Sequence, residues 1–269
     1  LIPLIAGALM LFYDDRHRQI KLGLGLAALG TLFLIAVEMI ARAKNGGDGG
    51  AVVGTYLLGD WPAPFGIVIV VDRLSTMMVM LSTLLAIPAL IYAAAGWQGK
   101  GQHFHSLFQF LIAGVNGAFL TGDLFNLFVF FEVMLAASYG LMLHGSGVER
   151  IKQGLHYIAI NLAASLLFLL GAGLVYGTTG TLNMADIGRV VPLLEDPQRM
   201  LFHVAAALLG MAFLVKAAIW PVCFWLPPTY ATASPPAAAS FAIMTKVGLY
   251  VILRLSTLVF GEEGGASAG

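Results

Sequence analysis

Apolar runs long enough to cross a bilayer recur along this chain, and no other feature restricts its fold as much. About eight stretches, 1–13, 20–41, 73–95, 106–121, 124–143, 153–176, 200–226 and 236–260, approach or exceed the length that a helix needs to cross about 30 Å of hydrocarbon. Of 269 residues, 59% are hydrophobic and only 10% are charged, against about 25% in an ordinary soluble domain. With a mean hydropathy of +0.89, the expected fold is an all-α, polytopic integral membrane bundle of about eight transmembrane helices, solvated by membrane lipid. Soluble-enzyme readings are excluded by that hydropathy. A formal net charge of zero gives no sign of a nucleic acid partner, and the one cysteine, Cys223, makes neither an internal disulfide nor a metal-binding cysteine pair.

Polar breaks separate the runs at 14–21, 43–50, 96–103, 144–152 and, longest, 177–199. Residues 51–71 carry Pro62 and Pro64 and read as an extended surface loop with room for short strands, not as a ninth helix. The first run is short for a span, and both it and the tail GEEGGASAG read as truncated. No basic stretch or small-residue cleavage site marks a signal peptide. The odd-numbered loops carry Arg16, Arg18, Lys21, Lys100, Arg150 and Lys152, and the even-numbered ones Arg42, Lys44, Arg73, Arg189 and Arg199. Counting Lys and Arg mildly favours odd loops in the cytoplasm and an amino terminus outside.

Three charged groups sit where lipid tolerates them least: Glu132 in LFNLFVFFEVMLAASYGLML, Lys216 in MAFLVKAAIWP and Lys246 in FAIMTKVGLYVILR. Placing one such group at a helix centre costs about 2.5–3.5 kcal/mol on insertion scales, so an intramembrane ion path is the default reading. Glu132 shares a face with Phe128, Ala136 and Tyr139, and a small residue such as Ala136 would let a partner helix approach. The competing reading is a static interhelical salt bridge; mid-span depth favours the path. Lys216 precedes Pro221 by five residues in a run that meets three prolines within eight. Pro221 must break the seventh predicted helix, freeing backbone acceptors near the ammonium, which calls for hydration or for protein partners.

Lys246 is expected to share a protein-facing side with Ala238, Ala239, Ala242, Tyr250 and Arg254, the last about 12 Å along the axis at 1.5 Å per residue. A Glu/Lys set of this kind titrates as a coupled unit and forms a natural proton relay. His156, His203, Tyr250 and Arg254 are auxiliary relay candidates. Against this, the histidines read as interfacial or satisfied core residues, and Arg254 as snorkelling to the interface. Glu38 reads as interfacial; Asn161 and Ser165, four apart, line a water file or, as the better reading, hydrogen-bond a neighbouring helix. No phosphate-binding GxxxxGK[ST] and no His/Cys metal spacing is present.

The segments GDLFNLFVFFEVMLAASYGL, KAAIWPVCFWLPPTYATASPP and TKVGLYVILRL resemble the D subunit of Mrp-type multisubunit cation/proton antiporters, with wider kinship to the antiporter-like membrane subunits of respiratory complex I. The resemblance implies a fourteen-helix fold with two inverted five-helix repeats, of which this chain would hold residues 1–105 as amino-terminal helices and loop, 106–260 as the first repeat, and 261–269 as the start of a loop to the second. It implies a Glu132, Lys216 and Lys246 relay with its helix break at Pro221. Cys223 stands where complex I relatives usually have His, which favours Mrp; Pro228 replaces the acidic residue usual after WLP.

The function implied is that of an ion-transporter subunit, not an enzyme. It would need no cofactor, would move H⁺ against Na⁺ or K⁺, and would work with other subunits in the bacterial inner membrane. Two alternatives stand beside it: a proton-pumping subunit of a redox-driven complex, and a non-conducting scaffold.

Overall fold

A computed structural model describes residues 1–45, 52–145 and 147–259. The expected loop at 261–269 lies outside the described residues, as does most of 43–50. In lipid the backbone must satisfy itself, so the apolar runs become helices: α1 (Ile2–Leu11), α2 (Arg18–Asn45), α3 (Arg73–Ala94), α4 (Phe104–Leu120), α5 (Leu124–Leu143), α6 (Val148–Thr179), short α7 (Met184–Val190), α8 (Asp196–Ala217), short α9 (Leu226–Thr232) and α10 (Pro235–Val259).

Among the described residues, six helical stretches are long and apolar enough to cross a bilayer: Arg18–Arg42, Arg73–Ala94, Leu124–Leu143, Val148–Thr179, Asp196–Thr232 and Pro235–Val259. The other two expected runs form the shorter apolar helices Ile2–Leu11 and Phe104–Leu120. The first run makes only the 10 residues of α1, about 15 Å of helix and half a bilayer core. At 17 residues, α4 stands at the lower limit for a span. That short helix is nevertheless the middle of the bundle: Phe104, Phe108, Leu111, Ile112, Val115 and Phe119 are all sealed from solvent, while Leu34, Met77, Leu166 and Leu170 on the outer helices are exposed, as lipid-facing side chains should be.

Residues 51–71 do contain strands. Val52–Leu57 (β1) and Val68–Asp72 (β2) pair antiparallel, with Leu57 opposite Val68 and Thr55 opposite Val70. The hairpin lies on one membrane face, where Ile69 bridges to Thr121 and Asp123 to Asn183. Chain ends are fixed locally: Asp72 and Ser75 form a reciprocal capping box on α3, Asp123 caps α5, and Asn183 caps α7. On the opposite face, Asp15 accepts from the His103 N–H at 3.1 Å, His144 bonds Trp97 O at 3.1 Å, and Arg150 donates to the carbonyls of His144 and Thr232. Lys21, counted above among the loop cations, is 1% exposed and bonds Asp15 at 2.5 Å. Its charge is met inside the protein.

Candidate functional site

The seventh predicted helix is broken, as its prolines require. α8 ends at Ala217, Ala218 turns left-handed (φ 52°, ψ 47°), a single turn of 3-10 helix covers Val222–Trp225, and α9 resumes at Leu226. A left-handed alanine costs about 1 kcal/mol, so the surrounding packing must enforce it. The freed acceptors are met by protein: Val215 O accepts from Ala218 N at 3.0 Å and from the Trp225 indole at 3.1 Å. Side-chain repair of the ladder therefore replaces part of the hydration expected beside Pro221.

The break leaves Lys216 on the last turn of α8, 5% exposed. Its Nζ donates to Ser165 Oγ of α6 at 3.1 Å, and Ser165 Oγ donates to Glu132 Oε1 of α5 at 2.5 Å. Among the described residues, no direct ion pair joins Glu132 to Lys216. The ammonium also sits 4.9 Å from the Phe131 ring centroid, a cation–π contact on its apolar side. Ser165, read from sequence as interhelical glue, thus stands between the two charges.

Aromatic side chains close the site above and below. Toward the hairpin face, Phe168 lies 6.0 Å from Phe131 and 5.0 Å from Phe213, centroid to centroid. Toward the opposite face, Tyr157 lies 5.4 Å from Trp225 and 6.1 Å from Phe241. These rings flank the polar layer at mid-depth on both sides. A small cavity lined by Lys216, Asn161, Tyr157, Trp225, Met244 and Thr245, among others, holds about 10 Å³ for the centre of a water molecule, roughly the room of one water. Thr245, which lines the cavity with Lys216, accepts from Lys246 Nζ at 3.2 Å.

Other expectations are corrected. Within this chain Ala136 is exposed and no helix packs on it; close approach to α5 comes from α4, where a Cβ on Gly114 would fall 2.6 Å from Met134 N. Within this chain Lys246 and Tyr250 differ in cover. Lys246 is exposed on the strip of α10 that carries Ala239, Leu249 and Leu253, whereas Tyr250 is buried. Helical spacing says which residues share a face, not which face a neighbour covers. Arg254 does not snorkel: it pairs with Asp72, and its Nε donates to Tyr250 Oη at 3.1 Å, while Tyr250 donates to Phe119 O at 2.7 Å. Tyr250 and Arg254 thus form a unit separate from Lys246. His156 and His203 are exposed beside Phe224 and Phe202, and neither is brought to Lys216. Glu38, as expected, lies near the end of its span, exposed and paired with Arg42 at 2.8 Å.

Sequence reasoning missed Asp72. Burial pushes its carboxyl up, but hydrogen bonds from Arg254 and from Ser75 N outweigh this and hold it below the usual carboxylate range. The spacing Asp72-x-x-Ser75 was the available signal, a capping-box pattern.

The transmembrane family described as NADH:quinone oxidoreductase/Mrp antiporter matches residues 121–267, which include all three intramembrane charges. The chain is 55% identical, over its whole length and 50% of the relative's, to the probable D subunit of a K(+)/H(+) antiporter from Rhizobium meliloti (strain 1021). It is 40% identical, over 98% of its length and 53% of the relative's, to the D subunit of the Na(+)/H(+) antiporter from Alkalihalophilus pseudofirmus. Its structure superposes on a chain of the Mrp complex from Dietzia sp. DQ12-45-1b with a TM-score of 0.88 and 35% identity, covering 97% of this chain and 48% of that one. The chain spans about half the length of the relatives it matches. The chain belongs to the NADH:quinone oxidoreductase/Mrp antiporter transmembrane family.

Proposed function

We propose that this chain is the proton-conducting part of a monovalent cation/proton antiporter subunit, an ion transporter and not an enzyme, that exchanges cytoplasmic Na⁺ or K⁺ for external H⁺ in the bacterial inner membrane. Its partners are the other subunits of a hetero-oligomeric antiporter, and residues 106–260 act as one five-helix repeat. The similarity to D subunits of both Na(+)/H(+) and K(+)/H(+) antiporters supports the class.

The observation that carries the reading is the arrangement of Glu132 and Lys216, opposite charges held at mid-depth and joined through Ser165 instead of by direct contact. In the low dielectric of the bundle each charge depends on the other. With the proton on Glu132, Lys216 is left as the neutral amine, which a low-dielectric site tolerates better than an unpaired ammonium. It then exchanges protons with the cavity on the side of Thr245 and Lys246. Lys246, open on the outer strip of α10, passes the charge onward. Return of the carboxylate draws a proton back to Lys216 and resets the site.

The test is cation-dependent ΔpH dissipation in everted vesicles containing the complete complex, with Glu132→Gln and Lys216→Ala compared after assembly is checked. Lost exchange in assembled complexes supports the relay; unchanged exchange makes both residues structural and returns the scaffold reading.

A further inference from the structure

We propose that the Ser165 hydroxyl is itself the proton carrier between Lys216 and Glu132, an inference that rests on the relay reading above. An ammonium can only donate and an ionised carboxylate can only accept, so a hydroxyl with one hydrogen joins them in a single way. Lys216 Nζ donates to Ser165 Oγ at 3.1 Å, and Ser165 donates to Glu132 at 2.5 Å. Ser165 has given up the bond that a helical serine ordinarily makes. Ser240 and Ser256 each reach a carbonyl three or four residues back on their own helix, and Ser82 and Ser138 do so as well as bonding a neighbouring helix. Ser165, 6% exposed, directs its hydrogen across to α5 instead.

Transfer needs no movement of a helix. A Lys216 N–H bond breaks as a proton passes to Ser165 Oγ, and in the same event the original Ser165 O–H bond breaks as its proton passes to Glu132 Oε1. One O–H bond forms on each oxygen. Lys216 ends as a neutral amine, Glu132 as a neutral acid, and Ser165 as a hydroxyl whose two hydrogen bonds now run the other way. Passage in concert spares the serine from existing as an alkoxide or an oxonium ion. Among the described residues, Ser165 is the side chain that bonds both charges, and no direct ion pair joins them.

The experiment compares Ser165→Thr with Ser165→Val, side chains of nearly equal shape of which only the first keeps a hydroxyl, in the full-length subunit within its assembled complex. Glu132→Gln is measured in parallel, and Ser165→Ala serves if the valine variant does not assemble. Proton transfer through the hydroxyl predicts that Ser165→Thr retains at least a third of wild-type exchange, whereas Ser165→Val or Ser165→Ala loses about 100-fold, within the range for a positioned proton-transfer group. Equal rates for Ser165→Thr and the hydroxyl-free variant, with Glu132→Gln inactive, would overturn the role of Ser165 and leave the relay standing. Normal exchange in Glu132→Gln would remove the relay and this inference together.

Discussion

Two sets of opposite charges, Asp72 with Arg254 and Glu132 with Lys216, are held on opposite plans. At the hairpin face, Asp72 and Arg254 touch directly, and every neighbouring donor is committed: Ser75 N donates to Asp72, Arg254 to Tyr250, and Tyr250 to Phe119 O. The cluster ties β2 and α3 to α10 and to the end of α4. At mid-depth, Glu132 and Lys216 are held apart by one hydroxyl, next to a cavity about one water in size. A charge that must stay put is surrounded by fixed partners in contact. In the proposed relay, the charge that moves is joined through a group whose hydrogen bonds can reverse.

The largest effects should separate the two pairs by kind. Lys216→Met keeps most of the side-chain volume while removing the charge, and exchange by the assembled complex should fall about 100-fold or more, as for loss of a proton-transfer group. Vesicle ΔpH measurements check it. Arg254→Met leaves Asp72 without its cation, 13% exposed, and should cost about 3 kcal/mol of stability. Adding Asp72→Asn should recover part of that loss, read as the melting temperature of the purified complex.

A smaller effect is expected at Gly248, where α10 meets the end of α8. A Cβ there would lie 2.7 Å from Ala217 N and 2.9 Å from Ala217 Cβ, beside Lys216. Gly248→Ala should push the helices apart at a cost of about 1–3 kcal/mol and slow exchange without abolishing it. A Gly248→Ala complex that melts and transports like wild type would show that this contact has slack.

Two predictions concern polar groups outside the spans. Burial raises the Asp123 carboxyl, against the lowering effect of the Asn126 and Phe125 N–H groups, but its cap on α5 needs only an acceptor oxygen. Asp123→Asn should be near neutral, and Asp123→Ala should cost about 1 kcal/mol. Burial lowers the His144 pKa, opposed by its bond to Trp97 O. The folded protein therefore binds a proton there less readily than the unfolded chain. Its stability is complete above about pH 6.5 and declines as pH falls through the lower folded value. Melting temperatures between pH 7.5 and 5 should drop less in His144→Asn than in wild type.

Much of this design was legible in the sequence because lipid makes the rules strict. Long apolar runs had to be helices, the prolines after Lys216 had to break one, and Glu132 and Lys216 stood out as charges without water. The remainder depended on contacts between distant segments. Asp72 lies 182 residues from Arg254, too far along the chain for spacing to pair them; Lys21 reads as a loop cation, but Asp15 bonds it inside the protein. Ser165 was visible as a polar residue in a span, but only the distances to both charges distinguish a bridge from ordinary interhelical bonding. Lys246 stood out as a mid-span cation, and within this chain it lies on the exposed strip of α10, since spacing alone does not tell which neighbours cover a face.

The most direct test of the contrast is to measure exchange and melting together in Glu132→Gln and Arg254→Met complexes, normalised to assembled protein. The two plans predict a crossover: Glu132→Gln melts close to wild type and does not exchange, whereas Arg254→Met melts well below wild type and exchanges normally per assembled complex. Exchange that survives in Glu132→Gln, or is lost in assembled Arg254→Met with unchanged melting, would contradict it.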